Sequence, residues 1–232
     1  MTKIRKIAII DDDPYSRNNM KFTVEDSGFE PILITGQFGN DKQRLLDDIF
    51  KHDIYGVISD HHLSPGKLAS FFGAELLADL YDVKIPTILI TQFFKEDANT
   101  SIRKYRQKLP AVIGRGGNDN DDLIGNLLEL SKRELEIGPS HERKSHRALI
   151  RIENFLQSQD ENLVEGIITN WNTQEPIRFP LDLIPREVRS RMSHNSINRL
   201  IAFVNTGTVD PNEIYISDIQ LAPSFEGLNG LD

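Results

Sequence analysis

Short apolar runs alternate with amphipathic segments through the first ~137 residues of this 232-residue chain. Five runs predict strands, at Ile4–Ile10, Phe29–Thr35, Ile54–Ser59, Ile85–Ile90 and Ala111–Ile113. The segments after them predict helices, at Pro14–Asp26, Asp41–Lys51, Phe71–Tyr81, Lys95–Lys108 and Asp121–Glu136. Five strand–helix units in succession predict an α/β fold with a doubly wound, mostly parallel sheet.

The pattern changes after a polar stretch with a Gly-Pro break, Gly138–Lys144, which we interpret as a linker. Five further strands are predicted, at Ala148–Phe155, Leu163–Asn170, Ile177–Leu181, Arg199–Asn205 and Glu213–Leu221. One helix, Pro185–Met192, lies between the third and fourth of them. This order predicts a small, mostly-β, barrel-like domain, OB-like or another small barrel. The predicted organisation is a first domain at 1–137, a linker at 138–146, a β domain at 147–224 and a flexible tail at 225–232.

Composition excludes several classes of function. The chain has no cysteine, which excludes disulfides, zinc–thiolate sites, iron–sulfur clusters and cysteine nucleophiles. Its net charge is −8, and both halves are acidic, so nucleic-acid binding is not expected. No apolar run reaches the ~18 residues of a membrane span, and no secretory signal is evident. We therefore expect a cytoplasmic protein without a membrane partner.

Acidic residues follow the first and third predicted strands. Asp11, Asp12 and Asp13 come after the first strand, and Asp60 comes after the third. A strand order of 2-1-3-4-5 would bring these carboxylates together at one sheet edge, where ligands bind in open α/β sheets. Carboxylates this close need a cation, and hard oxygen ligands suit Mg²⁺. Thr91 and Arg115, which follow the fourth and fifth strands, would add a hydroxyl and a positive charge to the same pocket.

Residues 3–136 resemble a response-regulator receiver domain of two-component signalling, which has a flavodoxin-like fold. The matching segments are Ile7–Pro14, Tyr55–Asp60 and Ile85–Thr91. The resemblance implies that Asp60 accepts a phosphoryl group and that Thr91 is the switch hydroxyl. It also implies a set of Mg²⁺ ligands: Asp12 directly, Asp11 mainly through water, Asp60, and the main-chain carbonyl of His62.

The sequence departs from the receiver pattern at four residues near the pocket. Arg115-Gly116 stands where receivers have Lys-Pro, and arginine keeps the charge but changes its geometry. Val112 replaces the usual aromatic switch residue, and the bulky Gln92 follows Thr91. We therefore expect that Asp60 can still be phosphorylated. We also expect a change in the usual coupling between the switch threonine, Thr91, and an aromatic residue at position 112.

The predicted function is that of a response regulator, not an enzyme, which receives its phosphoryl group from a sensor histidine kinase or phosphotransfer protein. Its β domain would bind an unidentified protein, and the receiver could form a homodimer. One alternative is a phosphate sink or scaffold whose β domain binds its partner independently of phosphorylation. Another is a receiver-controlled module for single-stranded nucleic acid, with Trp171, Phe179 and Phe203 as a stacking platform. His61 and His62 are either metal ligands or loop histidines that shape access to Asp60.

Overall fold

The computed structural model describes residues 4–116, 123–157, 162–192 and 198–223. The chain divides into two compact units. The first comprises residues 1–97 and 108–140, and the second comprises 98–107 and 141–232. The tail predicted at 225–232 lies outside the described residues. Among the helices of the described ranges, none combines the length and apolar character that crossing a membrane requires.

The elements from β1 to α5 have the alternating order that the sequence predicts. Their bounds are β1 Lys6–Ile10, α1 Pro14–Asp26, β2 Glu30–Ile34, α2 Lys42–Phe50, β3 Gly56–Asp60, α3 Gly73–Asp82, β4 Thr87–Thr91, α4 Phe94–Asn99, β5 Ala111–Gly114 and α5 Leu123–Ile137. The five strands form one parallel sheet in the order β2-β1-β3-β4-β5. The predicted doubly wound α/β fold is confirmed, and β1 lies directly beside β3.

Burial on both faces explains the continuous apolar runs of the central strands. Ile7 and Ile10 of β1, and Val57 of β3, are fully buried. Such strands carry no polar alternation because helices cover both faces of the sheet. Where β1 ends, Asp13 starts α1 by accepting a hydrogen bond of 2.9 Å from the Ser16 amide. The chain therefore turns sharply at the aspartates and leaves them at the sheet edge.

The helix predicted at Lys95–Lys108 is much shorter in the structure. α4 ends at Asn99, and only a 3₁₀ turn at Arg106–Lys108 follows before β5. Asn99, Thr100 and Ser101 favour this early end, because side chains of these residue types compete with the helix for backbone hydrogen bonds.

The second unit contains one antiparallel sheet and a short helix. Its elements are β6 His146–Gln157, β7 Asn162–Ile168, β8 Asn172–Pro180, α6 Arg186–Arg189, β9 Arg199–Val204 and β10 Ile216–Leu221. The strand order is β10-β9-β6-β7-β8, and the mostly-β prediction is confirmed. α6 lies between the third and fourth strands, as predicted. Within the described residues, β8 and β10 are the edge strands and do not pair with each other.

Residues 98–107 are part of the second unit, although the sequence prediction places them in the first domain. Arg103 explains the difference. Its side chain is almost fully buried and donates hydrogen bonds to the carbonyl oxygens of Pro211 (2.9 Å), Arg178 (3.3 Å) and Ile214. Arg106 pairs with Glu213 in the same unit. These contacts attach residues 98–107 to the β unit.

Candidate functional site

A cavity of about 500 Å³ lies at the carboxyl ends of β1 and β3 in the first unit. Its lining residues come from the sheet edge and the loops around it: Asp11, Asp12, Asp13, Pro14, Ser16, Asp60, His62, Pro65, Gly66, Gln92, Phe93 and Arg115. Five of the six site residues predicted from the sequence are in this set. Thr91 is the exception.

Asp60 is the last residue of β3, and its side chain is only 10% exposed. One carboxylate oxygen accepts a hydrogen bond of 2.8 Å from the His62 amide. The other accepts a hydrogen bond of 2.5 Å from Arg115. Burial raises the pKa of the Asp60 carboxyl above its usual value, while the hydrogen bond from Arg115 opposes that rise. Arg115 therefore favours the ionised form of Asp60.

The two acids at the end of β1 have different surroundings. Asp11 is 5% exposed, and its carboxylate accepts hydrogen bonds from the Asp13 amide and from Arg115, both at 2.9 Å. Asp12 instead accepts a hydrogen bond from the Gly66 amide, in the loop after β3. A Cβ atom at Gly66 would lie 2.4 Å from the Asp12 carbonyl oxygen, so only glycine permits this approach. The loop thus holds Asp12 at the cavity.

Arg115 connects two of the carboxylates. Its amide donates a hydrogen bond of 2.8 Å to the Thr91 carbonyl, which aligns the ends of β4 and β5. Its guanidinium then reaches both Asp11 and Asp60. Burial by itself would lower the pKa of Arg115, but the hydrogen bonds to the two aspartates outweigh it and raise that pKa. Arg115 therefore supplies a permanent positive charge between the two acids.

Thr91 ends β4 but does not line the cavity. Its side chain is fully buried, and its hydroxyl donates a hydrogen bond to Asp97 in α4. The His62 Nε2 atom lies 3.0 Å from each carboxylate oxygen of the same aspartate. Sequence reasoning missed Asp97, because nothing in the pattern of α4 distinguishes it from an ordinary acid of a helix surface.

The donor set of the cavity fits a hard divalent cation. Three carboxylates, from Asp11, Asp12 and Asp60, line one space and offer the oxygen ligands that Mg²⁺ prefers. Arg115 already balances part of their charge, which keeps them close together without a full complement of cations. The arrangement can stabilise added negative charge next to Asp60.

The three aromatic residues proposed as a stacking platform, Trp171, Phe179 and Phe203, have different surroundings in the structure. Phe179 is fully buried in the core of the sheet. Trp171 is partly buried and donates its indole N–H to the Thr208 carbonyl at 2.6 Å. Phe203 is 44% exposed. The three therefore do not provide the stacking platform that single-strand binding would use.

Comparison with known proteins gives one curated relative and many receiver structures. No protein-family model matches the chain. Transcriptional regulatory protein FixJ of Bradyrhizobium diazoefficiens is 24% identical over 208 residues, which cover 87% of this chain and 95% of FixJ.

Solved structures match mainly over a length close to that of the first unit. Full-length FixJ from B. japonicum is 21% identical with a TM-score of 0.44, covering 61% of this chain and 64% of FixJ. A receiver domain protein from Clostridium thermocellum is 16% identical with a TM-score of 0.43, covering 56% and 96%. TrrA from Thermotoga maritima, in complex with Mg²⁺–BeF, is 18% identical with a TM-score of 0.42, covering 55% and 99%.

The sheet order of the first unit, the acids that end β1 and β3, and the similarity to FixJ identify this unit as a response-regulator receiver domain. Receiver domains belong to two-component signalling. The chain is similar to two-component response regulators, and an antiparallel β unit accompanies its receiver-like unit.

Proposed function

We propose that Asp60 is phosphorylated in a Mg²⁺-dependent transfer from a sensor histidine kinase or phosphotransfer protein. The observation that carries the proposal is the position of the Asp60 carboxylate. It lies on a cavity shared with Asp11 and Asp12 and is paired with Arg115.

The chemistry is a displacement at phosphorus. A carboxylate oxygen of Asp60 forms the new P–O bond as the P–N bond of a phosphohistidine breaks, and the leaving imidazole nitrogen takes up a proton. Asp11, Asp12, Asp60 and the His62 carbonyl would hold Mg²⁺. The bound ion would neutralise negative charge on the transferred phosphoryl oxygens. Arg115, already within hydrogen-bond distance of Asp60, would pair with another phosphoryl oxygen.

Thr91 would respond to the new charge. Its hydroxyl now binds Asp97, and a phosphoryl oxygen on Asp60 would compete for the same proton. Because the hydroxyl has one hydrogen, it can donate to only one of these acceptors at a time. Phosphorylation would therefore release Asp97 and α4, a route that needs no aromatic residue at Val112.

The β unit would act as the output by binding a protein. The acidic composition of the chain and the separate environments of Trp171, Phe179 and Phe203 support a protein partner over nucleic acid. A homodimer formed through the receiver is a further partner consistent with this class of domain.

Phosphoryl uptake from acetyl phosphate, resolved on a phosphate-affinity gel, tests the proposal. Wild type with Mg²⁺ should give a shifted band that chelator and the Asp60→Asn substitution both abolish. Asp13→Asn is the matched control, because Asp13 lines the same cavity but acts as the cap of α1, a role that asparagine also fills. A shifted band that persists in Asp60→Asn would refute Asp60 as the acceptor.

A phosphate sink is the second candidate. The bond between Thr91 and Asp97, together with Val112 in place of an aromatic residue, favours it, because a switch held in one state would store phosphate without signalling. Beryllofluoride, which imitates the phosphoryl group, separates the two. A regulator would change its oligomeric state or partner binding, and a sink would change neither.

A further inference from the structure

Two histidines and an aspartate form a second cluster of metal-ligating groups beside the phosphoacceptor. His61 and His62 follow β3, and Asp97 lies in α4. One nitrogen from each imidazole and one carboxylate oxygen all lie within 4.8 Å of one another. We propose that His61, His62 and Asp97 bind a transition-metal ion of the Zn²⁺ class, at a site distinct from the proposed Mg²⁺ site.

The ligand types select this class of metal. Imidazoles are borderline ligands that suit Zn²⁺ and its neighbours, and two histidines with one carboxylate form a known zinc ligand set, whereas Mg²⁺ prefers oxygen ligands alone. Neighbouring ligands of a tetrahedral zinc ion lie about 3.3 Å apart, given bonds of about 2.0–2.1 Å. His62 Nε2 is already 3.0 Å from the Asp97 oxygens, so His61 is the ligand that must move closer.

The surroundings orient these ligands. The His61 ring is fully buried and stacks on Phe72 with centroids 4.7 Å apart. Thr91 donates a hydrogen bond to Asp97, the kind of support that ligating carboxylates receive in metal sites.

A water molecule from the cavity would be the fourth ligand, reaching the ion from the side of His62. The His62 side chain is 33% exposed and His62 lines the cavity, while the Asp97 side chain is 8% exposed. Three protein ligands and one water complete a tetrahedral zinc site of the open type. The side chain of Asp60 has no part in it, so the inference does not depend on phosphorylation.

Zinc titration of the full chain against a chromogenic chelator, with Mg²⁺ in excess to occupy the acidic cavity, tests the site. Wild type should bind one Zn²⁺, and Co²⁺ should give the visible absorption of a four-coordinate ion. His62→Gln and Asp97→Asn should each weaken binding by at least about tenfold. Asp60→Asn and His146→Gln, an exposed histidine of the second unit, should bind as wild type does.

Thermal unfolding shows whether a variant that fails to bind zinc is still folded. Zn²⁺ should raise the melting temperature of wild type and of Asp60→Asn but not of His62→Gln, since only a folded site binds the ion. Absence of zinc binding by wild type, or equal binding by His62→Gln and Asp97→Asn, would overturn the site. The contact between His62 and Asp97 would then be a hydrogen bond only. Neither result bears on acetyl phosphate uptake by Asp60.

Discussion

Thr91, the last residue of β4, donates its hydroxyl hydrogen bond to Asp97 in α4, six residues further along the chain. Both side chains are buried. A hydrogen bond between a hydroxyl and a buried carboxylate contributes about 1.5–3 kcal/mol. This bond opposes any movement of Thr91 toward Asp60. Its free energy is part of what a phosphoryl group must supply to switch the receiver.

Asp97→Ala should therefore bind beryllofluoride about tenfold more tightly than wild type, because Thr91 no longer has to leave a carboxylate. Isothermal titration with Mg²⁺ present measures the affinity. Glu96→Ala is the matched control, an exposed acid next to Asp97 in the same helix. Equal affinities for Asp97→Ala and wild type would show that the Thr91–Asp97 bond does not oppose switching.

Arg115 should affect metal binding and phosphoryl uptake in opposite directions. Arg115→Ala removes a positive charge that competes for Asp11 and Asp60, so Mg²⁺ should bind about fivefold more tightly, or about 1 kcal/mol. Uptake from acetyl phosphate should become slower, because the phosphoryl oxygens lose their partner. Arg115→Lys should recover part of the uptake rate. Calorimetry and gel assays measure the two effects, with the exposed Arg44→Ala as a control. If Mg²⁺ affinity and the rate of phosphoryl uptake changed in the same direction, the proposed role of Arg115 would be contradicted.

Gly66→Ala should weaken Mg²⁺ binding without unfolding the receiver. The added Cβ would meet the Asp12 carbonyl oxygen at 2.4 Å, so the loop must move and release Asp12 from the Gly66 amide. Gly114→Ala is the matched control, because its Cβ would make an ordinary contact of 3.5 Å with Phe94. Calorimetric affinity for Mg²⁺ should fall only in Gly66→Ala, and an unchanged value there would mean that Asp12 does not need this loop.

The sequence predicts the site well where side chains directly follow strands. Asp11, Asp60 and Arg115 come together because the order of a doubly wound sheet places β1 beside β3 and β4 beside β5. Thr91 is placed at the right strand end, but its partner Asp97 could not be predicted. Which side of a short helix faces β4 depends on the path of the chain after Asn99, and tertiary contacts determine that path.

His61 should make the receiver sensitive to acid. Burial lowers its pKa from 6.5 to about 3, so the unfolded chain binds a proton that the folded chain excludes. Its contribution to stability is complete above pH 6.5 and is lost as the pH falls from 6.5 toward 3, with a cost of about 2 kcal/mol at pH 5. Urea unfolding at several pH values, with chelator present, should show this slope in wild type. His61→Phe, which can still stack on Phe72, should reduce it, and an identical slope in both proteins would contradict the prediction.

Arg103 should be the most important single residue for attaching the segment after α4. Arg103→Ala leaves the carbonyls of Arg178, Pro211 and Ile214 without this donor, so the free energy of unfolding should fall by about 3 kcal/mol or more. Lys104→Ala removes a surface ion pair with Asp182 and should cost less than about 1 kcal/mol. Chemical denaturation compares the two, and similar losses would show that burial of Arg103 contributes little.

Because residues 98–107 belong to the β unit, that unit is discontinuous in the sequence. Cleavage at the linker would not release an intact receiver and an intact output module. Residues 98–107, which include Arg103, would stay on the N-terminal fragment although they belong to the β unit. During synthesis, residues 98–107 of the β unit would be made before β5 of the receiver. The remainder of the β unit would be made only after the receiver is complete. A recombination event that exchanged residues 1–140 as one block would therefore also replace a segment of the β unit, including Arg103.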